Sequence, residues 1–281
     1  VEQDFSSPVI YTVTSEDGIV TTKYTVSVSG QIRDFGFDEW ETIKSSTSGS
    51  TEQYDVPKGL YGTSNPGIMT INEMFGSNLP ELFSYTVSPV EGQSGKAAKL
   101  QTVYTYMFLN GMDFNALLGG LVPYVTAGSL FTGIFKTDMN NTLNSTKFGV
   151  PFVGEPATFT GYYKYTPGTT YYNNKNEVVA DKTDECSIYA VLYEELLDEE
   201  NNNIPLNGDY NDPDLYIGSS KRIVMKAVLE DGTAKSDWTK FSIPFKLLEG
   251  KSYDATKKYY LAIVCSSSAE GDYFMGAPGS T

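Results

Sequence analysis

The segment "TFTGYYKYTPGTTYYNNKNE", residues 158–177, decides the fold class. It begins with alternating polar and aromatic residues, turns at Pro167-Gly168 and continues into an asparagine-rich loop. Side chains of a β-strand alternate between its two faces, so this alternation predicts a half-buried strand. We expect Tyr163 and Tyr165 to face the core and Tyr162 to face solvent.

Short runs of β-branched and aromatic residues recur from residue 34 onward, separated by Gly, Pro, Asn and Asp. One of them, "GIMTIN" (67–72), is expected to be a strand. "LYEELLDEE" (192–200) is the one helix-like piece, and it doubles as the end of the strand expected at "CSIYAVLYEEL" (186–196). Many short strands without helical periodicity predict an all-β sandwich or barrel. We therefore expect residues 34–281 to form one antiparallel β-sandwich domain.

The N-terminus has the pattern of a β-hairpin. "VIYTVTS" (9–15) and "TKYTVSVS" (22–29) flank an Asp17-Gly18 turn, a strong local hairpin signal. Two strands cannot bury a core alone. This piece resembles the end of small immunoglobulin-like modules in bacterial surface proteins, and we expect residues 1–30 to be the C-terminal hairpin of a truncated immunoglobulin-like domain.

Composition excludes several classes of function. The formal net charge is −15 and histidine is absent, which argues against a nucleic-acid partner and excludes histidine-dependent catalysis. Cys186 and Cys265 lie in apolar alternations, so we expect buried core thiols, with a disulfide as the alternative. The uncharged run 114–135 is interrupted by Gly and Pro, which favours a loop and a buried strand over a membrane span.

Landmarks along residues 34–281 carry a resemblance to a known family. In order, "YGTSNPG", "GKAAKLQT", "AGSLFTGIF", "FGVPFVGEPATFTGYYKYTPG" and "IVCSSSAEGDYFMGAPGST" resemble the putative carbohydrate metabolism domain of gut-bacterial surface lipoproteins. The resemblance implies a jelly-roll-like sandwich similar to carbohydrate-binding modules, without an established catalytic centre. It also implies an extracellular or outer-membrane location, with membrane attachment only through a lipid anchor outside this chain.

Exposed tyrosines and asparagines are the candidate ligand-binding residues. A tyrosine ring face can pack on a sugar while amides bond to its hydroxyls. The candidates are Tyr162, Tyr171, Tyr172, Asn173 and Asn174, and the alternative for the loop tyrosines is packing over the rim of the sandwich. No cofactor is required. Jelly-roll sugar modules often carry a structural calcium ion, and the candidate ligands here are Asp38, Glu39 and Asp272.

Three functions fit these patterns. The first is a non-catalytic glycan-binding or glycan-uptake accessory whose partner is a polysaccharide or oligosaccharide. The second is a glycoside hydrolase, which needs two carboxylates from different strands, because neighbouring acids such as Glu194 and Glu195 point to opposite faces of a strand. The third is a structural or adhesion protein of the cell surface.

Overall fold

The chain divides into two units, Val1–Gly36 and Phe37–Thr281. The computed structural model describes residues 9–26, 34–119 and 121–271. Asp272 and the other residues outside these ranges are not described.

The first unit contains the predicted hairpin. Strand β1 (Val9–Thr14) pairs antiparallel with β2 (Thr21–Val26), from Val9↔Val26 to Thr14↔Thr21. Gly18 has φ +73° in the turn, a conformation that glycine adopts without steric cost. The hairpin prediction is confirmed for the described residues, while membership of an immunoglobulin-like domain stays a prediction.

Among the described residues, the second unit is built mainly from strands, with α-helices at two places along the chain. The helices are α1 (Asn65–Phe75) and α2 (Phe114–Leu117), and short 3₁₀ turns cover Gly76–Asn78 and Thr142–Ser145. The strands are β3 (Trp40–Lys44), β4 (Gln53–Pro57), β5 (Tyr61–Thr63), β6 (Val87–Glu91), β7 (Lys96–Leu100), β8 (Val103–Tyr104), β9 (Phe108–Leu109), β10 (Met112–Asp113), β11 (Val125–Thr126), β12 (Ser129–Phe135), β13 (Thr146–Phe148), β14 (Val150–Phe152), β15 (Thr158–Tyr165), β16 (Ser187–Glu194), β17 (Ile223–Val228), β18 (Lys235–Pro244), β19 (Lys246–Leu247) and β20 (Tyr259–Ser266).

One eight-stranded antiparallel sheet forms the centre of this unit. Its main path runs β13-β12-β20-β16-β17-β19, with β14 paired to β20 and β5 paired to β12. Two-stranded ribbons surround it: β3-β4, β6-β7, β8-β11, β9-β10 and β15-β18. Helix accounts for 9% and strand for 41% of the part of the chain that the structure describes, which confirms the all-β prediction.

The core lies against the middle of this sheet. β16 and β20 pair over their full lengths and consist largely of buried residues, as expected of central strands covered on both faces. The main cluster of buried side chains comprises Phe131, Phe148, Val191, Tyr193, Leu206, Ile217, Ile223, Ala262 and Val264.

One secondary-structure prediction was wrong, and of the two interpretations of "LYEELLDEE" the strand end is confirmed. "GIMTIN" lies within α1, because Pro66 occupies the first helical turn and Ile68, Ile71 and Phe75 recur on one helical face. "LYEELLDEE" is not helical: it completes β16, and Leu197 then bridges back to Asn203. Pairing with β20 and β17 overrides the weak helical pattern there.

The uncharged run 114–135 is not a membrane helix. It contains α2, β11 and β12, in agreement with the prediction of a loop followed by a buried strand. In the described ranges, no helix combines the length and the apolar character needed to cross a membrane.

Both cysteines are free thiols. Cys186 is buried and Cys265 is partly buried. Burial raises the pKa of Cys186 to about 11 and that of Cys265 to about 12. Each thiol is therefore neutral and a weak nucleophile near neutral pH.

Candidate functional site

An extended segment, residues 103–109, presents aromatic rings to solvent. Tyr104 is 44% exposed and Phe108 is 61% exposed, and Tyr106 between them is partly buried. The alternate residues Thr105, Met107 and Leu109 are buried. Period-two alternation thus places the three rings on the outer face of this segment.

A buried asparagine fixes the course of this segment. Asn115 is 2% exposed; its Oδ1 accepts a hydrogen bond from the Met107 amide at 2.6 Å. Its Nδ2 donates to the Thr105 carbonyl at 3.0 Å and to the carbonyls of Val122 and Pro123 at 3.2 and 3.1 Å. Both functional groups of the amide are therefore used to hold the backbone that carries the rings.

Apolar packing holds the same segment from beneath. Met107 and Leu109 belong to a buried cluster with Val122 and with Ile68 and Ile71 of α1. The helix that the sequence did not predict therefore supports the inner face of the aromatic segment.

Five aromatic side chains form a continuous row, which we call the aromatic ladder. Its members are Tyr104, Tyr106, Phe108, Tyr124 and Tyr172. Ring centroids are 5.1 Å apart for Tyr104–Tyr172, 5.8 Å for Tyr104–Tyr106, 6.2 Å for Tyr106–Phe108 and 5.7 Å for Tyr106–Tyr124. These separations lie in the range of favourable aromatic contacts. The result is a surface of ring faces and hydroxyl groups.

The predicted tyrosine loop contributes one end of the ladder. Val179 donates its amide hydrogen to the Tyr171 carbonyl, and Asn173 Oδ1 accepts hydrogen bonds from the amides of Lys175 and Glu177. Asn173 therefore stabilises the turn rather than pointing free amide groups at a ligand. Asn174 lies in the same turn and is partly buried.

Asn176 connects this loop to the aromatic segment. It has φ +63°, a left-handed conformation that asparagine tolerates better than most residues. Its Oδ1 accepts a hydrogen bond from the Tyr104 hydroxyl at 2.7 Å. The stacking of Tyr172 on Tyr104 is thus reinforced by a polar contact.

For Tyr171 the structure supports the packing alternative and not a surface position. Tyr171 is 5% exposed and packs with Val125, Tyr124, Tyr172 and Val179. Consecutive residues of an extended chain point to opposite sides, so Tyr171 turns inward where Tyr172 turns outward. The ammonium of Lys182, paired with Glu270 at 2.7 Å, lies 4.4 Å from the centre of the Tyr171 ring.

Tyr162 is exposed as predicted but belongs to a different surface. It lies on β15 opposite Lys240 of β18 and is 47% exposed. Within the described residues its ring contacts neither Tyr171 nor Tyr172. Tyr163 is buried, as predicted, and donates to the Asp231 carbonyl. The proposed group of ligand-binding tyrosines is therefore split between two places.

One carboxylate lies inside the aromatic ladder. Asp113 Oδ2 accepts a hydrogen bond from the Tyr124 hydroxyl at 2.9 Å. Burial, with a further contribution from Asp113, raises the pKa of both Tyr124 and Tyr106. Tyr106 and Tyr124 are consequently neutral at physiological pH and can donate hydrogen bonds.

The predicted calcium ligands are used differently in the described part of the chain. Asp38 Oδ1 accepts a hydrogen bond from the Lys96 amide at 2.9 Å, and Glu39 forms an exposed ion pair with Lys58 at 3.3 Å. In residues 9–26, 34–119 and 121–271, no group of three or more acidic or cysteine side chains has the arrangement of a metal site. Because Asp272 lies outside those ranges, calcium binding stays a prediction.

A cavity of about 290 Å³ lies between α1 and the large sheet. Its lining is mainly apolar, with Ile68, Ile71 and Val264 among its residues, and also contains serine and threonine side chains such as Ser145 and Thr146. Sugar hydroxyls lose their hydrogen bonds to water on burial and need polar replacements. The aromatic ladder offers ring faces beside hydroxyl, amide and carboxylate groups and is the better candidate for a sugar ligand.

Sequence reasoning missed most of the ladder. The spacing of Tyr104, Tyr106 and Phe108 at alternate positions was a usable signal, because it places three rings on one face of any extended segment. The contact between this segment and the Tyr172 loop depends on tertiary packing, and no residue pattern in the sequence predicts it.

The fold and the ladder define an all-β domain with a solvent-facing aromatic surface. The chain belongs to the putative carbohydrate metabolism domain family, whose profile matches residues 36–281. Residues 1–28 match a second family, described as the N-terminal domain of surface glycan-binding proteins. Both matches agree with the resemblances noted in the sequence.

Solved structures show the same fold. A crystal structure of a putative glycoside hydrolase from Bacteroides thetaiotaomicron is 31% identical, with a TM-score of 0.63, over 97% of this chain and 75% of that one. A second putative glycoside hydrolase, from Bacteroides vulgatus, is 26% identical, with a TM-score of 0.61, over 87% of this chain and 92% of that one. No curated protein matches this chain.

Proposed function

We propose that this protein is a non-catalytic glycan-binding or glycan-uptake accessory at the cell surface, and that the aromatic ladder is its binding platform. The observation that carries the proposal is the continuous contact of five rings, two of which are more than a third exposed. Such a contiguous exposed aromatic surface is typical of an interaction site. The match to a surface glycan-binding family supports the location.

The chemistry of the ladder suits a polysaccharide or oligosaccharide. Pyranose rings have apolar faces and polar rims, and the ladder has ring faces bordered by the Tyr104, Tyr106 and Tyr124 hydroxyls. A shallow surface buries little area and must desolvate sugar hydroxyls, so each sugar binds weakly. A row of rings compensates by contacting several sugars of one chain at once.

Affinity electrophoresis on a panel of soluble polysaccharides tests the proposal. The double variant Tyr104→Ala/Tyr106→Ala is expected to lose the retardation that the unmodified protein shows. Tyr162→Ala is the matched control, since it removes an exposed tyrosine outside the ladder and is expected to leave retardation unchanged. Retardation lost in the control and kept in the double variant would contradict the placement of the site.

Glycoside hydrolysis is the second candidate, and one observation favours it. Burial raises the pKa of Asp184, as a general acid requires. Ser268 Oγ donates to Asp184 at 2.9 Å and accepts from the Glu270 amide at 3.2 Å, so two acidic residues from different segments lie close together. Release of reducing sugar that Asp184→Asn and Glu270→Gln each abolish would establish hydrolysis and overturn the non-catalytic proposal.

A further inference from the structure

The carboxylate of Asp113 is fixed within the aromatic ladder by two hydrogen bonds. Its Oδ1 accepts from the Ala116 amide at 3.0 Å, which caps the N-terminus of α2. Its Oδ2 accepts from the Tyr124 hydroxyl at 2.9 Å. Neither oxygen can turn away without losing a bond, so a negative charge is held at a set position beside the rings.

Among the described residues, no lysine or arginine forms an ion pair with Asp113. Lys175 and Glu177 both lie in the tyrosine loop, both are exposed and their charges are opposite. Glu177 Oε2 also accepts a hydrogen bond from Asn173 Nδ2 at 2.8 Å. Beyond the loop, the whole chain carries a net charge of −15. The Asp113 carboxylate is therefore the charge that the described contacts fix beside the rings.

We infer that the ladder selects neutral glycans and rejects glycans that carry carboxylate or sulfate groups, with Asp113 as the residue that sets this selectivity. The inference rests on the proposed function of the ladder. Ring stacking is nearly independent of the charge of the sugar substituents, so both classes would stack. A like charge held close to the bound chain opposes only the anionic class.

Polymers that share a backbone and differ in charge test the inference. Suitable pairs are hydroxyethyl- and carboxymethylcellulose, methyl-esterified and de-esterified homogalacturonan, and desulfated and native carrageenan. For each pair we expect the neutral member to bind at least about fivefold more tightly at low ionic strength. Dissolved salt screens the electrostatic repulsion from the carboxylate, whose range falls to about 3 Å at 1 M salt. High salt is therefore expected to lower the ratio of the affinity for the neutral polymer to the affinity for the anionic polymer.

The variant Asp113→Asn removes the negative charge at residue 113 and keeps the size and shape of the side chain. Asparagine is as good a helix cap as aspartate and can still accept from the Tyr124 hydroxyl. We expect the neutral-to-anionic affinity ratio to fall to about twofold in this variant. Glu199→Gln, which removes one exposed charge on the loop after β16, is the control and is expected to leave the ratio unchanged.

The outcomes separate this inference from the proposed function. Equal binding of neutral and anionic partners, or a ratio that Asp113→Asn does not change, overturns the selectivity while leaving the platform intact. Retention of no neutral polymer overturns the platform and the selectivity together. A ratio that falls equally in Glu199→Gln shows that the overall charge, and not Asp113, excludes anions.

Discussion

Tyr104 and Tyr172 stack with their ring centroids 5.1 Å apart and their planes inclined by 28°. They are 68 positions apart in the chain, and each belongs to a segment with its own buried anchor: Asn115 beneath residues 103–109 and Tyr171 beneath the loop. The aromatic ladder is continuous only because these two segments meet.

The ring of Tyr104, rather than its hydroxyl, is expected to provide most of the binding energy at that position. Tyr104→Phe keeps the ring and loses the bond to Asn176, so glycan affinity should change less than about twofold. Tyr172→Ala removes a ring. Two aromatic rings in contact gain about 1 kcal/mol. If a sugar face gains the same amount from the Tyr172 ring, the affinity for the glycan should fall about fivefold in this variant. Isothermal titration calorimetry measures both, and a larger loss in Tyr104→Phe would assign the binding energy to the hydroxyl.

Tyr171 is expected to stabilise the fold rather than bind sugar directly. Replacing this buried ring by alanine leaves a cavity, and the free energy of unfolding should fall by about 3 kcal/mol. Tyr172→Ala, at the neighbouring partly buried position, should cost less than Tyr171→Ala, because a partly buried ring leaves a smaller cavity. Urea denaturation compares the two. A stable Tyr171→Ala variant that has lost sugar binding would restore Tyr171 as a ligand-binding residue.

The sequence predicted strands in which buried and exposed side chains alternate along the chain. It missed features that depend on contacts with segments distant in the sequence. Tyr162 and Tyr163 followed their alternation, and one is exposed and the other buried as expected. Tyr171 and Tyr172 lie beyond the Pro-Gly turn, where strand phase no longer carries over, so the sequence left the position of Tyr171 open. The sequence could show that tyrosines cluster, but not which of them face inward.

The helix α1 shows the same limit at the level of secondary structure. Ile68, Thr70 and Ile71 favour strands by propensity. Burial of Ile68 and Ile71 against Met107 and Leu109 selects the helix instead. The contact that decides the structure is with a segment about 40 residues further along, so it could not be read from the local pattern.

Asn115 is expected to be a positioning residue for the ladder. Asn115→Asp has the same shape but, when ionised, cannot donate to the carbonyls of Thr105, Val122 and Pro123. The buried carbonyls of Thr105 and Val122 would lose their donor, at about 1 kcal/mol or more each, while Pro123 keeps the hydrogen bond from the Thr105 hydroxyl, so we expect at least about 2 kcal/mol of lost stability. Asn174→Asp, in the partly buried turn, is the control and should cost less than about 0.5 kcal/mol. Chemical denaturation measures the free energy of unfolding of both variants. A similar decrease in the two would show that the hydrogen bonds donated by the Asn115 amide are not needed to hold the aromatic segment.

The two thiols are expected to make stability decrease at alkaline pH. Cys186 and Cys265 have pKa values of about 11 and about 12 in the folded chain, raised from 9.0 by burial. Above pH 9 the unfolded chain ionises first, so their contribution is complete below pH 9 and is lost as the pH rises through 11 and 12. Cys186→Ser/Cys265→Ala should show a shallower loss between pH 8 and pH 10 in urea denaturation. If the free energy of unfolding decreased equally steeply with pH in the variant and in the unmodified protein, the thiols would be excluded as the cause of that decrease.

The reactivity of the thiols is a second measurement. Native protein is expected to react slowly with a thiolate-specific reagent at pH 8, and unfolded protein is expected to react quickly.

The aromatic NMR signals of the protein test the glycan platform most directly. With tyrosine and phenylalanine rings isotopically labelled, titration with a neutral polysaccharide that retards the protein reports which rings meet the sugar. We expect the largest shifts at Tyr104, Tyr106, Phe108 and Tyr172, and none at Tyr162. Shifts confined to Tyr162 and its neighbours on β15 and β18, with the ladder signals unmoved, would contradict the account.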